Sequence, residues 1–120
     1  MKVVRLEDAE LRRVLGGPIK VIFTPETAGT KNLRFAVGYF GPGEGLNPHL
    51  HPESEEVYYV IRGRGRVYIG EGQREIPIEP EMALYIPPGT VHRVVNTGKE
   101  RLLVAFFVSP GKEPSKEVKA

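Results

Sequence analysis

Residues 43–63 read GEGLNPHLHPESEEVYYVIRG, and two of the chain's three histidines stand in this stretch one residue apart, at His49 and His51. In a β-strand, residues i and i+2 project from the same face with Cα atoms roughly 6.5–7 Å apart. Two imidazoles leaning together from that spacing can each bring a nitrogen to about 2.0–2.1 Å from one metal ion. After the pair comes PESE, a turn, and then Glu56 opens the apolar run VYYVI. A hairpin return there would bring a carboxylate back towards the histidines. Glu53 and Glu55 are acidic too, so spacing alone leaves three choices. Glu56 is favoured, because it leads into a buried-looking strand whereas the other two belong to a solvated turn. The remaining histidine, His92, follows PPGT at the start of another strand, with Val94 and Asn96 on its face. Two or three histidines with one carboxylate form a recognised transition-metal ligand set. The competing reading is that the histidines are structural.

Outward from this stretch, short runs rich in Val, Ile, Tyr and Phe alternate with Gly/Pro clusters, the pattern of an all-β sandwich or barrel. Strands are predicted near 18–23, 32–40, 47–51, 56–63, 66–70, 74–78, 82–87, 91–96 and 101–108. The connections GPGEG, HPES, GEGQ, PPGT and NTGKE carry turn chemistry. Pro77 cannot donate to a ladder, which assigns its strand to an edge. A short helix is predicted over 7–15: Glu7, Asp8 and Glu10 stand at its start, Arg12 and Arg13 near its end, and Gly16 behind it as a cap. The expected organisation is an N-terminal arm or short helix at 1–17, one β-domain at 18–109 and a flexible charged tail at 110–120.

Composition closes off several function classes. With 120 residues there is material for one core. The formal charge is only +2, far from the cationic excess of a nucleic-acid binder. Absence of cysteine removes disulfides, thiolate metal sites and thiol nucleophiles. The first residues, MKVVRLEDAELRR, hold no apolar signal region, and no window approaches a membrane span, so a cytoplasmic location without membrane association is expected. RGRGR at 62–66 has the look of a basic tract, but Glu71, Glu75 and Glu79 are near enough to answer its arginines on a solvated hairpin face. GPGEG is followed by neither GK[ST] nor a helix, so it is no phosphate loop.

The two histidine regions resemble the two motifs of the cupin family. Gly43, His49, His51, Glu56 and Gly63 occupy the positions of its first motif, and Pro87, Gly89, His92 and Asn96 those of its second. One departure shows: where the second motif usually opens with Gly, often followed by Asp, this chain has Glu81 and Met82. The resemblance covers about 18–108. It implies a double-stranded β-helix (a jelly-roll barrel) holding one divalent transition metal through His49, His51, Glu56 and His92, and it implies a homodimer. Three neutral imidazoles and one carboxylate suit Fe, Mn, Ni, Co or Zn and leave coordination positions open.

Alternation from these ligands nominates the other pocket residues. Tyr58, two beyond Glu56, is a candidate acid or donor beside Glu56 as base; its alternative is a barrel-filling aromatic. Asn47 and Asn96 are candidate substrate contacts, Asn96 having the alternative of tying down backbone. Arg34 would bind a carboxylate or phosphate if it points inward. The expected function is an enzyme on a small carboxylate- or sugar-like molecule, by oxygen-dependent cleavage, decarboxylation or isomerisation. The alternative is a non-catalytic binding or sensing protein.

Overall fold

The computed structural model describes residues 1–111 and 115–118. Strands β1 (Leu11–Val14), β2 (Gly17–Phe23), β3 (Arg34–Phe40), β5 (Glu55–Arg62), β8 (Ala83–Ile86) and β10 (Leu102–Ser109) join one antiparallel sheet in the order β1-β2-β3-β10-β5-β8. Strands β4 (His49–Leu50), β6 (Gly65–Ile69), β7 (Arg74–Ile78), β9 (His92–Val95) and β11 (Lys116–Glu117) form a second, in the order β11-β4-β9-β6-β7. This is the expected all-β double-stranded β-helix, two sheets enclosing one core. No helix among the described residues is long and apolar enough to cross a membrane.

The period-2 pattern places the core. On β5, Glu56, Tyr58 and Val60 are buried while Glu55, Tyr59 and Ile61 are exposed. From β10, Leu102, Val104 and Phe106 meet them, and Val67 on β6 and Val94 on β9 close the core from the other sheet. Each such side chain, fully withdrawn from water, contributes about 1.5–3 kcal/mol. Pro77 does lie on an edge strand, β7, opposite Arg66. Two of the three RGRGR arginines are answered by the expected acids: Arg64 pairs with Glu79 at 2.6 Å and Arg66 with Glu75 at 3.3 Å, all on the solvated surface.

The N-terminus differs from the sequence reading. In place of a helix over 7–15 there is a single 3-10 turn, Leu6–Asp8, and then β1 paired with β2 from Leu11↔Lys20 to Val14↔Gly17. Leu15 and Gly16, with φ of 51° and 82°, connect the strands as a two-residue turn whose twist matches an antiparallel hairpin. Of the charges that suggested a helix dipole, Glu7 and Asp8 fall in the 3-10 turn, Glu10 just before β1, and Arg12 and Arg13 on the exposed strand. A helix of nine residues, about two and a half turns, is stabilised mainly by packing, and here the chain pairs with the edge of the sheet instead. One four-residue helix, α1 (Pro25–Ala28), was not foreseen; Thr24 caps it, with a reciprocal Thr24–Thr27 capping box and Gly29 in the left-handed conformation behind it.

At the C-terminus, the predicted tail falls partly on residues 112–114 and 119–120, outside the described residues. Of the remainder, Lys116 and Glu117 pair with Leu50 and His49. At the family's usual glycine position, Glu81 adopts φ 70°, so the turn keeps its shape with a side chain where glycine has no penalty. Gly63 (φ 85°) closes β5 where an added Cβ would strike the Arg101 carbonyl, which fixes the residue type at that bend.

Candidate metal centre

His49 and His92 are register partners on adjacent strands of the second sheet, β4 and β9, with ring centroids 4.3 Å apart. His51 lies just beyond β4, where Pro48 and Pro52 keep the strand to two residues; the Gly89 N–H donates to its carbonyl at 2.8 Å. Glu56 comes from the opposite sheet. Its strand pairs with β10 and β8 and not with β4, so the carboxylate meets the histidines across the barrel and not through a hairpin return. Its Oε1 lies 2.8 Å from His92 Nε2 and 3.2 Å from His51 Nε2. One ligand atom from each of the four residues falls within 4.8 Å of all the others, and all four side chains are buried. Glu53 and Glu55, the other acids of the motif, are exposed.

The hydrogen bonds fit these residues to a cation. His49 Nδ1 lies 2.8 Å from the Asn47 carbonyl, and His92 Nδ1 lies 2.8 Å from that of Thr90. Each carbonyl demands a proton on Nδ1 and leaves Nε2 with a lone pair. A neutral His92 therefore directs a lone pair at the Glu56 carboxylate, two acceptors face to face. A positive charge must separate them, either a proton or a metal ion. His51 Nδ1 is buried with no hydrogen-bond partner among the described residues, a second acceptor or donor left open in the same cluster. Buried polar atoms are seldom left so.

Burial first, then the neighbouring His92, pushes the His49 pKa down to about 4. The imidazole stays neutral at physiological pH, as a ligand must. For Glu56, burial pushes the carboxyl up, but His51 and His92, bonding to it wherever a proton stands on their Nε2 atoms, outweigh burial, and the net shift is downward. Metal-free protein should consequently lose stability in acid. Unfolded His49 binds a proton below its ordinary 6.5 while the folded ring does not until about 4, so falling pH favours the unfolded state across that window. The loss approaches roughly 3 kcal/mol, with Glu56 extending it below 4.5. Urea unfolding of chelator-treated protein at pH 7, 5.5 and 4 measures it; an unchanged midpoint would show that His49 titrates normally.

A cavity of about 60 Å³ opens against the cluster, lined by His49, His51, Glu56 and Arg34, by Ser115, and by apolar side chains of Val14, Leu15, Ile19, Leu46, Phe106 and Val108. Arg34 therefore points inward, and its Nε is buried without a partner among the described residues. Asn47 does not join it. Only His49 and Leu50 are in strand, so alternation fails one residue earlier: Asn47 is exposed, its Nδ2 donates to Glu117 Oε1 at 2.9 Å, and its contribution to the site is the carbonyl that orients His49. Asn96 is spent on backbone, donating to the carbonyls of Phe40 and Glu100 and accepting from the Gly98 N–H. Tyr58 is fully buried behind the cluster, its ring edge-on to His92 at 5.6 Å and to Phe106 at 4.7 Å. Burial, then the Glu56 charge, raises its pKa well above the usual, and it does not line the cavity. Val14, Leu15 and Ser115 were not anticipated; they come from chain ends that only tertiary pairing brings to the site.

The cupin domain family matches residues 36–109, more than half the chain. The chain belongs to the cupin family. Among curated relatives, this cupin is 34% identical over 109 residues to the polyketide synthase protein CurC of Streptomyces cyaneus, covering 91% of this chain and 70% of that protein. It is 42% identical over 80 residues to a glucose-6-phosphate isomerase of Thermococcus gammatolerans, but the match spans only 58% of this chain and 42% of the isomerase. Among solved structures, the polyketide cyclase RemF of Streptomyces resistomycificus superposes with a TM-score of 0.83 at 21% identity, covering 100% of this chain and 87% of that one. That likeness bears on the fold.

Proposed function

We propose that this cupin is a metal-dependent enzyme, working as a homodimer, whose substrate is a small, largely apolar molecule bearing adjacent carbonyl or carboxylate oxygens, such as a 1,3-dicarbonyl acid. The observation that carries this is the lining of the cavity: aliphatic and aromatic walls and Ser115, with Arg34 as the one cationic side chain among the described residues beside the histidine–glutamate cluster. A divalent transition metal held by His49, His51, Glu56 and His92 would act as a Lewis acid that polarises such oxygens. The chain's own groups divide the remaining work. Arg34 binds the anionic end and fixes orientation. Glu56, kept ionised by its histidines, is the proton acceptor within reach. Tyr58, enclosed behind His92, positions that imidazole and stays protonated. The apolar walls exclude water.

The similarity to glucose-6-phosphate isomerase supports a second reading, a sugar-phosphate substrate. Its hydroxyls would face aliphatic walls, and each left unpaired costs on the order of 1–3 kcal/mol. The apolar reading is preferred for that reason. Calorimetry on metal-loaded protein compares a 1,3-dicarbonyl acid with fructose 6-phosphate, and NMR follows deuterium exchange between the two carbonyls. Binding of the acid, with exchange faster than in buffer, supports the proposal. Binding without accelerated exchange would make the protein a sensor or carrier, and preference for the sugar phosphate would overturn the substrate class.

A further inference from the structure

Arg93 stands on the outer face of β9, because His92 and Val94 on either side of it point into the barrel. Its register partner on β6 is Tyr68, and the Arg93 guanidinium lies over that ring at 4.9 Å. The ring attracts the charge but offers its N–H donors no oxygen to bond. No other group supplies one. Arg93 Nε is shielded from water with no hydrogen-bond partner among the described residues, and no acid of those residues pairs with the side chain. Folded proteins seldom leave a buried donor so, least of all one on a cation.

A polar hollow of about 390 Å³ opens beside Arg93, between β9, the tip of the β1–β2 hairpin and the loop over 43–47. Gly16, Gly43 and Gly45 give its walls backbone only, which keeps it open. The hairpin brings a second arginine. Of the neighbours Arg12 and Arg13, Arg12 finds an acid, Glu10 at 3.4 Å. Arg13 faces the hollow instead; its Nη1 donates to the Gly16 carbonyl at 2.9 Å, and no carboxylate of the described residues pairs with it. The hairpin tip is also a partition, since Val14 and Leu15 line the metal cavity while Arg13 and Gly16 line this hollow. One acid shares the lining, Glu44, and its Oε1 accepts from the Gly41 N–H at 2.7 Å. Nearby Glu117 is likewise committed, accepting from Asn47 Nδ2 at 2.9 Å.

Two guanidinium groups without carboxylates, brought to one polar hollow by separate elements, suit a ligand of more than one charge. A carboxylate has two oxygens in one plane and fills a single arginine fork. A phosphate group carries nearly two charges and three acceptor oxygens, enough for two arginines approaching from different sides. The hollow exceeds what one anion occupies, so it has room for a molecule esterified to it. We propose that this hollow, outside the barrel wall, binds the phosphate group of a small phosphate ester through Arg93 and Arg13. A slight turn of the Arg93 guanidinium on Tyr68 brings its Nε–H to the anion. The site lies back to back with the metal cluster, His92 and Arg93 being on opposite faces of β9, so a ligand reaches it without entering the barrel.

Calorimetry on the full chain, as purified and again after chelator treatment, tests this with glycerol phosphate, inorganic phosphate, succinate and glycerol. Glycerol phosphate is expected to bind equally in both preparations and more tightly than inorganic phosphate or succinate, while glycerol does not bind. Arg93→Gln should weaken it about tenfold and Arg13→Gln about threefold, as loss of charge-assisted hydrogen bonds predicts. Arg34→Ala, at the metal cavity, should leave it unchanged. No binding at roughly 10 mM glycerol phosphate, an affinity too weak for a built site, would overturn the proposal. Loss of binding in Arg34→Ala or in chelator-treated protein would place the anion at the metal cavity and overturn it too. Succinate bound as tightly as glycerol phosphate would overturn the phosphate, and inorganic phosphate bound as tightly would overturn the ester. Should Arg93→Gln melt below wild type, Arg13→Gln and Arg13→Glu on the exposed hairpin decide, and undiminished binding in both would overturn the site.

Discussion

Replacing His92 with alanine is expected to take bound metal from near one ion per chain to less than a tenth of that after dialysis, and to abolish turnover. The imidazole supplies one of four donors, and it is the donor nearest to Glu56, at 2.8 Å. Losses of 10–100-fold follow even when only an outer partner of a ligand is removed, so losing the ligand itself costs more. The same substitution empties a fully enclosed position between the His49 and Tyr58 rings, and a large-to-small change there costs about 2–4 kcal/mol of fold stability. The two effects separate by measurement: elemental analysis reads the first and urea unfolding of chelator-treated proteins the second. His92→Gln, which keeps volume, should recover stability but not metal. Asn47→Ala should keep metal, because only its backbone carbonyl touches His49. Wild-type protein that takes up none of Fe, Mn, Ni, Co or Zn on reconstitution would refute the centre, as would a His92→Ala variant still fully loaded. Iron in the wild type would favour oxygen-dependent chemistry; zinc, nickel or manganese would favour enolisation or isomerisation.

The strands and the metal cluster were legible in the sequence because they depend on local period and on few residue types. Alternation along VYYVI separates Glu56, Tyr58 and Val60 from Tyr59 and Ile61 whatever the partners are, and three histidines leave little choice of ligand. What was misread depends on pairing at a distance. Arg12 and Arg13 at the end of an acidic start satisfy a helix as well as they satisfy an exposed strand, and only the approach of β2 decides. Asn47 was assigned by a strand begun two residues earlier than Pro48 allows. Which face Arg34 takes was undetermined from its neighbours, since Phe35 beside it is equally able to be inward; the sheet's register with Val108 settles it. The β5 run shows a related limit. Its outer residues Val57, Tyr59 and Ile61 are as apolar as its inner ones, so which face is buried was decided there by the fold and not by hydropathy.

Arg34 carries the other large effect. Arg34→Ala is expected to weaken binding of a carboxylate-bearing ligand about 100-fold while leaving metal content unchanged. A charge-assisted hydrogen bond contributes about 1.5–3 kcal/mol, and inside an apolar cavity the interaction is weakly screened. The stability readout should not follow it. Arg34 Nε is buried without a partner among the described residues, a position that costs the folded protein free energy while no ligand is bound. Removing the side chain relieves that cost and gives up only the attraction to the exposed Glu26 carboxylate, so the melting temperature of the ligand-free variant should hold. Structural arginines behave oppositely, since their loss breaks existing bonds. Arg34→Lys keeps the charge but not the planar fork, and should recover only part of the affinity. Calorimetry with a 1,3-dicarbonyl acid and its methyl ester completes the test: wild type should prefer the acid, and Arg34→Ala should bind both alike. Equal weakening of acid and ester, or a marked fall in melting temperature, would place Arg34 among the supports of the barrel mouth and remove the anion from the substrate description.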